Sequence, residues 1–464
     1  MSDGVKRYID AANKATAARQ KYLREVVRKW RFDTIAVHGA YSVEEALERN
    51  QGAIIEPIYM SSAQAYRDSD EMEAALSYQI PTWCYSRIHN PTMGYLEDTL
   101  ALLEGYGADA ETGCCATSSG MGAIASAVHP LLARHGKASE PLNFAANCQV
   151  YGGTFQLFNI RKTQDEAVEC RWVTNPNDIG EWRKKIDKNT RFLYGEMPSN
   201  PGLVFFDIKK VIDLAHEHGI PFIVDATIAT PALMRPIALG ADIVVQSVTK
   251  TMTSSGFGIA GAVIARRNIV SNLPDEAMKT DFATYIKQLP NRDIGWNISP
   301  MQAMLSLSDI RTLRTRVDIL SQNAMAVAKF LSKHPKVSSV NYLGLEDNPL
   351  YGVASKFLWL VDAEHDARYG KPVNRYGHLL SFRVRGGAQA ARDAFDGLQR
   401  IWRATDLGRI KSVATIPAIS THQQMGQECR DMACIPADLI RLCVGGEHPD
   451  DIIKDLDQAL SKVK

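Results

Sequence analysis

From about residue 95 onward, short apolar runs alternate with stretches of helical period. Ile220-Pro221-Phe222-Ile223-Val224-Asp225 is an apolar run ended by an acid, and it follows a helical stretch over Ile208–His218. Ala241–Gln246 and Ile259–Ile264 read as two further buried strands. Strands alternating with helices predict a mostly parallel sheet covered on both faces. After Pro300, the residues Ile310, Leu313, Val317, Leu320, Ala324, Val327 and Leu331 recur at steps of three and four. That spacing predicts one long helix with a single buried face, stopping near His334-Pro335. Alternation returns at Leu379–Val384 and Leu439–Val444, which predicts a smaller α+β unit at the C-terminus. Residues 362–377 are polar and read as a surface insertion, and residues 1–75 read as a polar, irregular arm that is helical near Ala11–Trp30 and packs on another subunit. The expected division is therefore an arm over 1–75, a large α/β domain over 76–320 and a small domain over 321–464.

Composition narrows the class of protein. A chain of 464 residues is too long for one ordinary core. A net charge of +1 supplies no global field for nucleic acid or an anionic membrane. No run approaches the roughly 18 apolar residues that span a bilayer. The N-terminus carries Lys6, Arg7 and Lys14 without an apolar core, so no signal peptide is expected. The eight cysteines lack paired CxxC spacing, which fits reduced thiols better than disulfides or a zinc site. The expectation is a cytoplasmic enzyme without a metal.

Open parallel sheets bind ligands beyond the carboxyl ends of their strands. Two predicted strands end there with reactive groups. One ends at Asp225, and the other runs into Ser247-Val248-Thr249-Lys250. A desolvated lysine amine is a nucleophile toward an aldehyde. Ser247 and Thr249 can donate to a phosphate, and an acid such as Asp225 can keep a pyridine nitrogen protonated, making the ring an electron sink. Taken alone, Lys250 reads as a surface lysine and Asp225 as a cap; together at strand ends they read as a site. Thr117-Ser118-Ser119-Gly120-Met121-Gly122 enters a helical stretch and offers open N–H groups to an anion, though alone it is an ordinary N-cap. Tyr85-Ser86-Arg87 precedes Asn90-Pro91, and Arg87 can grip a phosphate. Tyr151, before Gly152-Gly153, can stack on a planar ring. In Leu439–Val444, alternation sets Arg441 on the face opposite Ile440 and Leu442, where it binds a carboxylate or joins an ordinary ion pair.

These motifs, in this order, resemble the pyridoxal-phosphate-dependent enzymes of cysteine and methionine metabolism. The likeness runs from about Thr34 to the C-terminus and includes Pro198-Ser199-Asn200-Pro201 and Asp225-Ala226-Thr227. The resemblance implies an aspartate-aminotransferase-like fold with a small C-terminal domain. It implies Lys250 as the lysine joined to the cofactor as a Schiff base and Asp225 as the ring-nitrogen partner. Tyr151 resembles the stacking and catalytic tyrosine, and Asn200 the residue near the cofactor hydroxyl. Gly120, Met121, Ser247 and Thr249 resemble the phosphate cradle of one subunit, with Tyr85 and Arg87 supplied by its neighbour. A homodimer or homotetramer with shared sites follows. Arg441 resembles the arginine that takes the substrate carboxylate.

Within the family the sequence is most like O-acetylhomoserine sulfhydrylases and cystathionine γ-synthases, through Val340–Asp347, Pro417–Gln424 and Gly446-Glu447-His448. Gly153 stands where methionine γ-lyases commonly place a cysteine. Three departures lie near the substrate: Ala226 for the usual asparagine, Asp406 for the usual serine or asparagine, and Ser254–Gly258 for the usual glycine- and histidine-rich loop. Asp406 is expected to pair with Arg441, to repel a carboxylate or to take an extra cationic group. The expected reaction is γ-replacement on an O-acylated homoserine by a thiol or sulfide. The alternatives are β- or γ-elimination from a sulfur amino acid, and a non-catalytic relative, which intact Lys250, Asp225, Tyr151 and Arg441 argue against.

Overall fold

The computed structural model describes residues 1–77, 84–133 and 141–463. Seven strands form the larger sheet: β1 Thr112–Thr117, β2 Leu142–Asn147, β3 Val168–Val173, β4 Thr190–Glu196, β5 Phe222–Asp225, β6 Ile243–Gln246 and β7 Gly261–Arg266. Their order is β1-β7-β6-β5-β4-β2-β3. The five strands β3, β2, β4, β5 and β6 are mutually parallel, and β7 is antiparallel to both β6 and β1. This is the mostly parallel α/β sheet expected. Every residue of β2, β4, β5 and β6 is buried, as strands covered on both faces require.

The smaller sheet holds β8 Val337–Asn341, β9 Leu379–Val384, β10 Trp402–Arg403, β11 Val413–Thr415 and β12 Leu439–Cys443, in the order β10-β11-β12-β9-β8. The helix leading to it departs from the single rod expected. It is two helices, Pro300–Ile310 and Leu313–Lys333. The Arg316 guanidinium takes the Asp309 carbonyl at 2.8 Å, the acceptor that would carry the helical ladder past the break. The predicted stripe survives the break, since Ile310, Leu313, Val317, Leu320, Ala324, Val327 and Leu331 are all buried.

Two other segments gain detail. The first 76 residues include four α-helices, Asp3–Glu25, Phe32–His38, Val43–Arg49 and Ser69–Leu76, with an irregular stretch over 50–68. Ser2, Ser42 and Asp68 cap three of them with side-chain acceptors. The first helix packs on its own chain, where Arg19 bonds Asp98 at 2.7 Å. Segment 362–377 is fastened to the body: the Asp362 carboxylate accepts from Tyr106 Oη at 2.8 Å and from the Phe32 N–H at 3.0 Å. Fully buried Asp318 takes Arg375 at 2.6 Å and Tyr369 Oη at 2.5 Å. The segment lies at the surface as expected, most of it exposed or half-buried, and its polar side chains also bond the body beneath it. Among the described residues, no helix is long and apolar enough to cross a membrane.

Candidate active site

The carboxyl ends of β4, β5 and β6 sit side by side. Glu196 and Asp225 are partners in parallel register at the ends of β4 and β5. Asp225 is buried and accepts from the Thr227 N–H at 3.0 Å and from Tyr194 Oη at 3.3 Å. Burial raises its pKa, and the hydrogen bonds to Thr227 and Tyr194 restrain the rise. Glu196 is also buried; its pKa is pushed well up, first by burial and then by the neighbouring Asp225 charge. Its two oxygens reach two loops. Oε2 accepts the Tyr151 N–H at 2.7 Å and Oε1 accepts the Asn200 N–H at 2.8 Å.

Lys250 follows β6 by four residues, in the turn after Ser247. Its Nζ donates to Asp406 Oδ1 at 2.8 Å, and Arg409 Nε holds the other carboxylate oxygen. Burial pushes the Asp406 pKa up, but Lys250 and Arg409 outweigh it and the net direction is down. The Asp406 main-chain carbonyl accepts from Arg441 Nη2 at 2.7 Å. One residue therefore touches the lysine amine with its side chain and the arginine fork with its backbone. The expected side-chain pairing of Asp406 with Arg441 is not what forms, because Lys250 and Arg409 occupy both carboxylate oxygens.

Arg441 lies on β12, completely buried. Nη1 donates to Asn200 Oδ1 at 3.0 Å, Nη2 also to the Thr405 carbonyl at 3.1 Å, and Nε has no partner among the described residues. Burial with little counter-charge lowers its pKa to about 10. A buried guanidinium without a carboxylate partner, and with the Nε–H and one Nη1–H unspent, is suited to an anion brought by a ligand.

The helix Gly120–Leu131 points its N-terminus at Ser247. Ser119 caps it, accepting from the Gly122 N–H at 3.0 Å. Gly120 is there because nothing larger fits: a Cβ at 120 would lie 2.6 Å from the Ser247 Cβ and 2.8 Å from its hydroxyl. Thr249 departs from the donor role expected of it, since its hydroxyl donates to the Ala260 carbonyl at 2.9 Å. Tyr151 is 39% exposed, and its ring fills the space a side chain at Gly153 would need, with Cε1 2.6 Å from that Cβ position. The Met121 sulfur is 3.1 Å from the same point, which puts it beside the ring.

Lys250, Asp225, Asn200, Tyr151, Gly120, Met121, Ser247, Asp406 and Arg441 are thus joined by contacts along one rim. Tyr85 and Arg87 are not joined to it. Arg87 lies over the Tyr85 ring at 5.3 Å and donates to the Arg292 carbonyl, and Tyr85 is 43% exposed. Two site residues escaped the sequence reading. Glu196 ends an apolar strand with an acid, the same signal that marked Asp225. Arg409 carried no local signal.

Pyridoxal phosphate fits this rim on two features. A capped helix end meets Ser247 through a glycine that leaves no room for a side chain, as an anion cradle requires. A lysine amine and a buried acid stand at the ends of adjacent strands.

The comparisons agree with that chemistry. The family described as Cys/Met metabolism PLP-dependent enzyme matches residues 33–461. The chain is 30% identical to an O-acetyl-L-homoserine sulfhydrylase of Corynebacterium glutamicum, over 96% of this chain and 100% of that protein. It is 32% identical to an L-methionine gamma-lyase of Fusobacterium nucleatum, over 94% and 100% of the two chains. The crystal structure of a putative O-acetylhomoserine (thiol)-lyase from Campylobacter jejuni, which carries a pyridoxyl-lysine phosphate, superposes with a TM-score of 0.81 at 31% identity, covering 93% of this chain and 100% of that one. With the match spanning nearly the whole chain, this protein belongs to the PLP-dependent enzymes of Cys/Met metabolism.

Proposed function

We propose that the protein catalyses γ-replacement on an O-acylated homoserine, with a thiol or sulfide as the incoming group, and that Lys250 carries the cofactor. One observation carries this reading: Asp406 contacts the Lys250 amine at 2.8 Å and the Arg441 guanidinium at 2.7 Å, so a proton-moving amine and a carboxylate receptor stand one residue apart. That separation suits an α-amino acid held by its carboxylate with its carbons facing the amine. Bound pyridoxal phosphate supplies an electron sink for charge at the substrate α-carbon.

The chain's own residues supply the rest. Arg441 takes the substrate carboxylate through Nε and a fork that Asn200 orients. Lys250 moves protons at the α- and β-carbons, which lets the γ-acyloxy group leave and a sulfur nucleophile enter. Asp225 holds a proton at the ring nitrogen, and Tyr194 and Thr227 hold Asp225. Gly120, Met121 and Ser247 bind the phosphate, and Thr249 joins them only by giving up its bond to Ala260. Tyr151 covers the ring from the position Glu196 gives its backbone.

Tyr85 and Arg87 complete the cradle of a neighbouring subunit in a homodimer or homotetramer. Their exposure, and the absence among the described residues of a hydrogen bond or ring contact joining them to Lys250, support that role. The enzyme works in the cytoplasm on a small amino acid. Elimination, as the name of the methionine gamma-lyase relative implies for that protein, is the competing outcome. Gly153, which stands where methionine γ-lyases commonly place a cysteine, argues against it here. Incubation with O-acetyl-L-homoserine, with and without sulfide or methanethiol, decides between them. Homocysteine or methionine formed only with the nucleophile supports replacement; 2-oxobutanoate and ammonia formed equally without it refutes it.

A further inference from the structure

The carboxylate against Lys250 is held from behind. Arg409 grips the Asp406 carboxylate with Nε. The same guanidinium donates through Nη1 to the main-chain carbonyls of Thr249 and Thr253, both at 2.8 Å. Those carbonyls belong to the turn that carries Lys250. Arg409 thus ties Asp406 to the lysine's own backbone, so amine, carboxylate and guanidinium move as one unit. The Leu407 N–H, 2.9 Å from Asp406 Oδ1, fixes the same oxygen that meets the amine. At 408 there is room for glycine only: a Cβ would lie 2.5 Å from the Thr251 nitrogen, so the 406–409 loop is pressed onto the lysine turn.

We propose that Asp406, anchored by Arg409, is a positioning residue that docks the Lys250 side chain whenever its amine is free of the cofactor and carries a proton. This rests on the reading that Lys250 carries the cofactor. When an incoming amine displaces Lys250, the lysine leaves as an amine into a partly enclosed site and becomes a cation when it takes up a proton. Asp406 receives that cation with one oxygen while the other stays on Arg409, which favours release and keeps the amine over the site between proton transfers. A hydroxyl or amide at 406 would offer a dipole in place of a full charge, and the released state would be less favoured.

The test uses the holoenzyme and methoxyamine, an uncharged amine without a carboxylate, so that Arg441 takes no part. Its nitrogen forms a C=N bond to the cofactor carbon while the C=N bond to Lys250 breaks. The proton of the protonated imine and the two hydrogens of methoxyamine leave on Lys250 as its ammonium. Asp406→Asn, which keeps the side-chain shape, should slow this exchange at least fivefold, read as decay of the cofactor absorbance. Asp406→Glu should return it to within twofold of wild type. Binding of pyridoxamine phosphate, which cannot bond to lysine, by the cofactor-free full-length protein should stay within twofold in both variants. An exchange rate unchanged in Asp406→Asn overturns the proposal. So does a parallel loss of pyridoxamine phosphate binding, which would make Asp406 a wall of the pocket. Borohydride reduction and peptide mapping of each protein keep the two claims apart: a label on a residue other than Lys250 defeats the functional reading, whereas a label on Lys250 with unaltered exchange defeats the docking role alone.

Discussion

Glu196 and Asp225 are register partners at the ends of adjacent parallel strands, and Glu196 bonds the backbones of Tyr151 and Asn200 with its two oxygens. Two buried acids side by side are costly, and the cost is accepted where each has a task. Asp225 is the residue proposed for the ring nitrogen, whereas Glu196 fixes the two loops that carry Tyr151 and Asn200, the latter bonded to Arg441. Glu196→Ala takes the partner from the buried Asn200 N–H and the part-buried Tyr151 N–H. At about 1–3 kcal/mol for each unmet group, urea unfolding should show a loss of at least about 2 kcal/mol, and cofactor affinity should fall with it. A loss within experimental error would mean the two loops are held by other contacts.

Arg441 is the receptor this account gives to the substrate carboxylate. Arg441→Lys keeps the charge but cannot span Asn200 and two carbonyls at once. One charge-assisted hydrogen bond is worth about 1.5–3 kcal/mol, and about 1.4 kcal/mol is tenfold in affinity. KM for O-acetyl-L-homoserine should therefore rise at least about tenfold, with the cofactor spectrum unchanged. A changed spectrum with unchanged KM would move Arg441 from substrate to cofactor binding.

Among the described residues no hydrogen bond or ring contact joins Tyr85 or Arg87 to Lys250, so a shared site predicts complementation. Arg87→Ala and Lys250→Ala homo-oligomers should each be nearly inactive. Unfolded together and refolded, they should recover activity, because a hybrid subunit pair holds one site with both groups intact. Hybrids that form, as seen by mass, and stay inactive would contradict the sharing.

Glu104 gives a prediction about stability rather than chemistry. It is fully buried, and burial, only partly offset by Arg235, pushes its pKa up to about 8. In the unfolded chain it titrates near 4.5. The folded state therefore keeps a proton that the unfolded state loses between those values. The associated stability is complete below about 4.5 and declines as pH rises toward about 8. The slope from one such group is at most about 1.4 kcal/mol per pH unit. Thermal melts of Glu104→Gln should lose that decline; an identical pH dependence in wild type and variant would show that Glu104 is ionised in the fold.

Much of this fold is legible in the chain because its signals are local. The stripe from Ile310 to Leu331 is buried as its spacing requires, although the helix beneath it breaks at Arg311-Thr312. The break depends on where the Arg316 side chain reaches, which periodicity does not report. Asp225 and Lys250 are readable because each ends an apolar run with a reactive group. Arg409 is not, and neither is the pairing of Asp406 with Lys250, which spans 156 residues of sequence and forms only in the folded loop. The polar run 362–377 lies at the surface as its composition indicates, but its bonds to Asp318, Arg314 and Tyr106 are not legible because those partners lie far along the chain.

The central claim is that Lys250 bonds the cofactor. The direct measurement is borohydride reduction of the purified, cofactor-loaded protein, followed by proteolysis and mass spectrometry of every lysine-containing peptide. The account predicts one phosphopyridoxyl group per chain, on Lys250, and its loss together with the visible absorbance band in Lys250→Ala. A phosphopyridoxyl group on any other lysine, or an unlabelled Lys250 in a protein that absorbs as the holoenzyme, would contradict it.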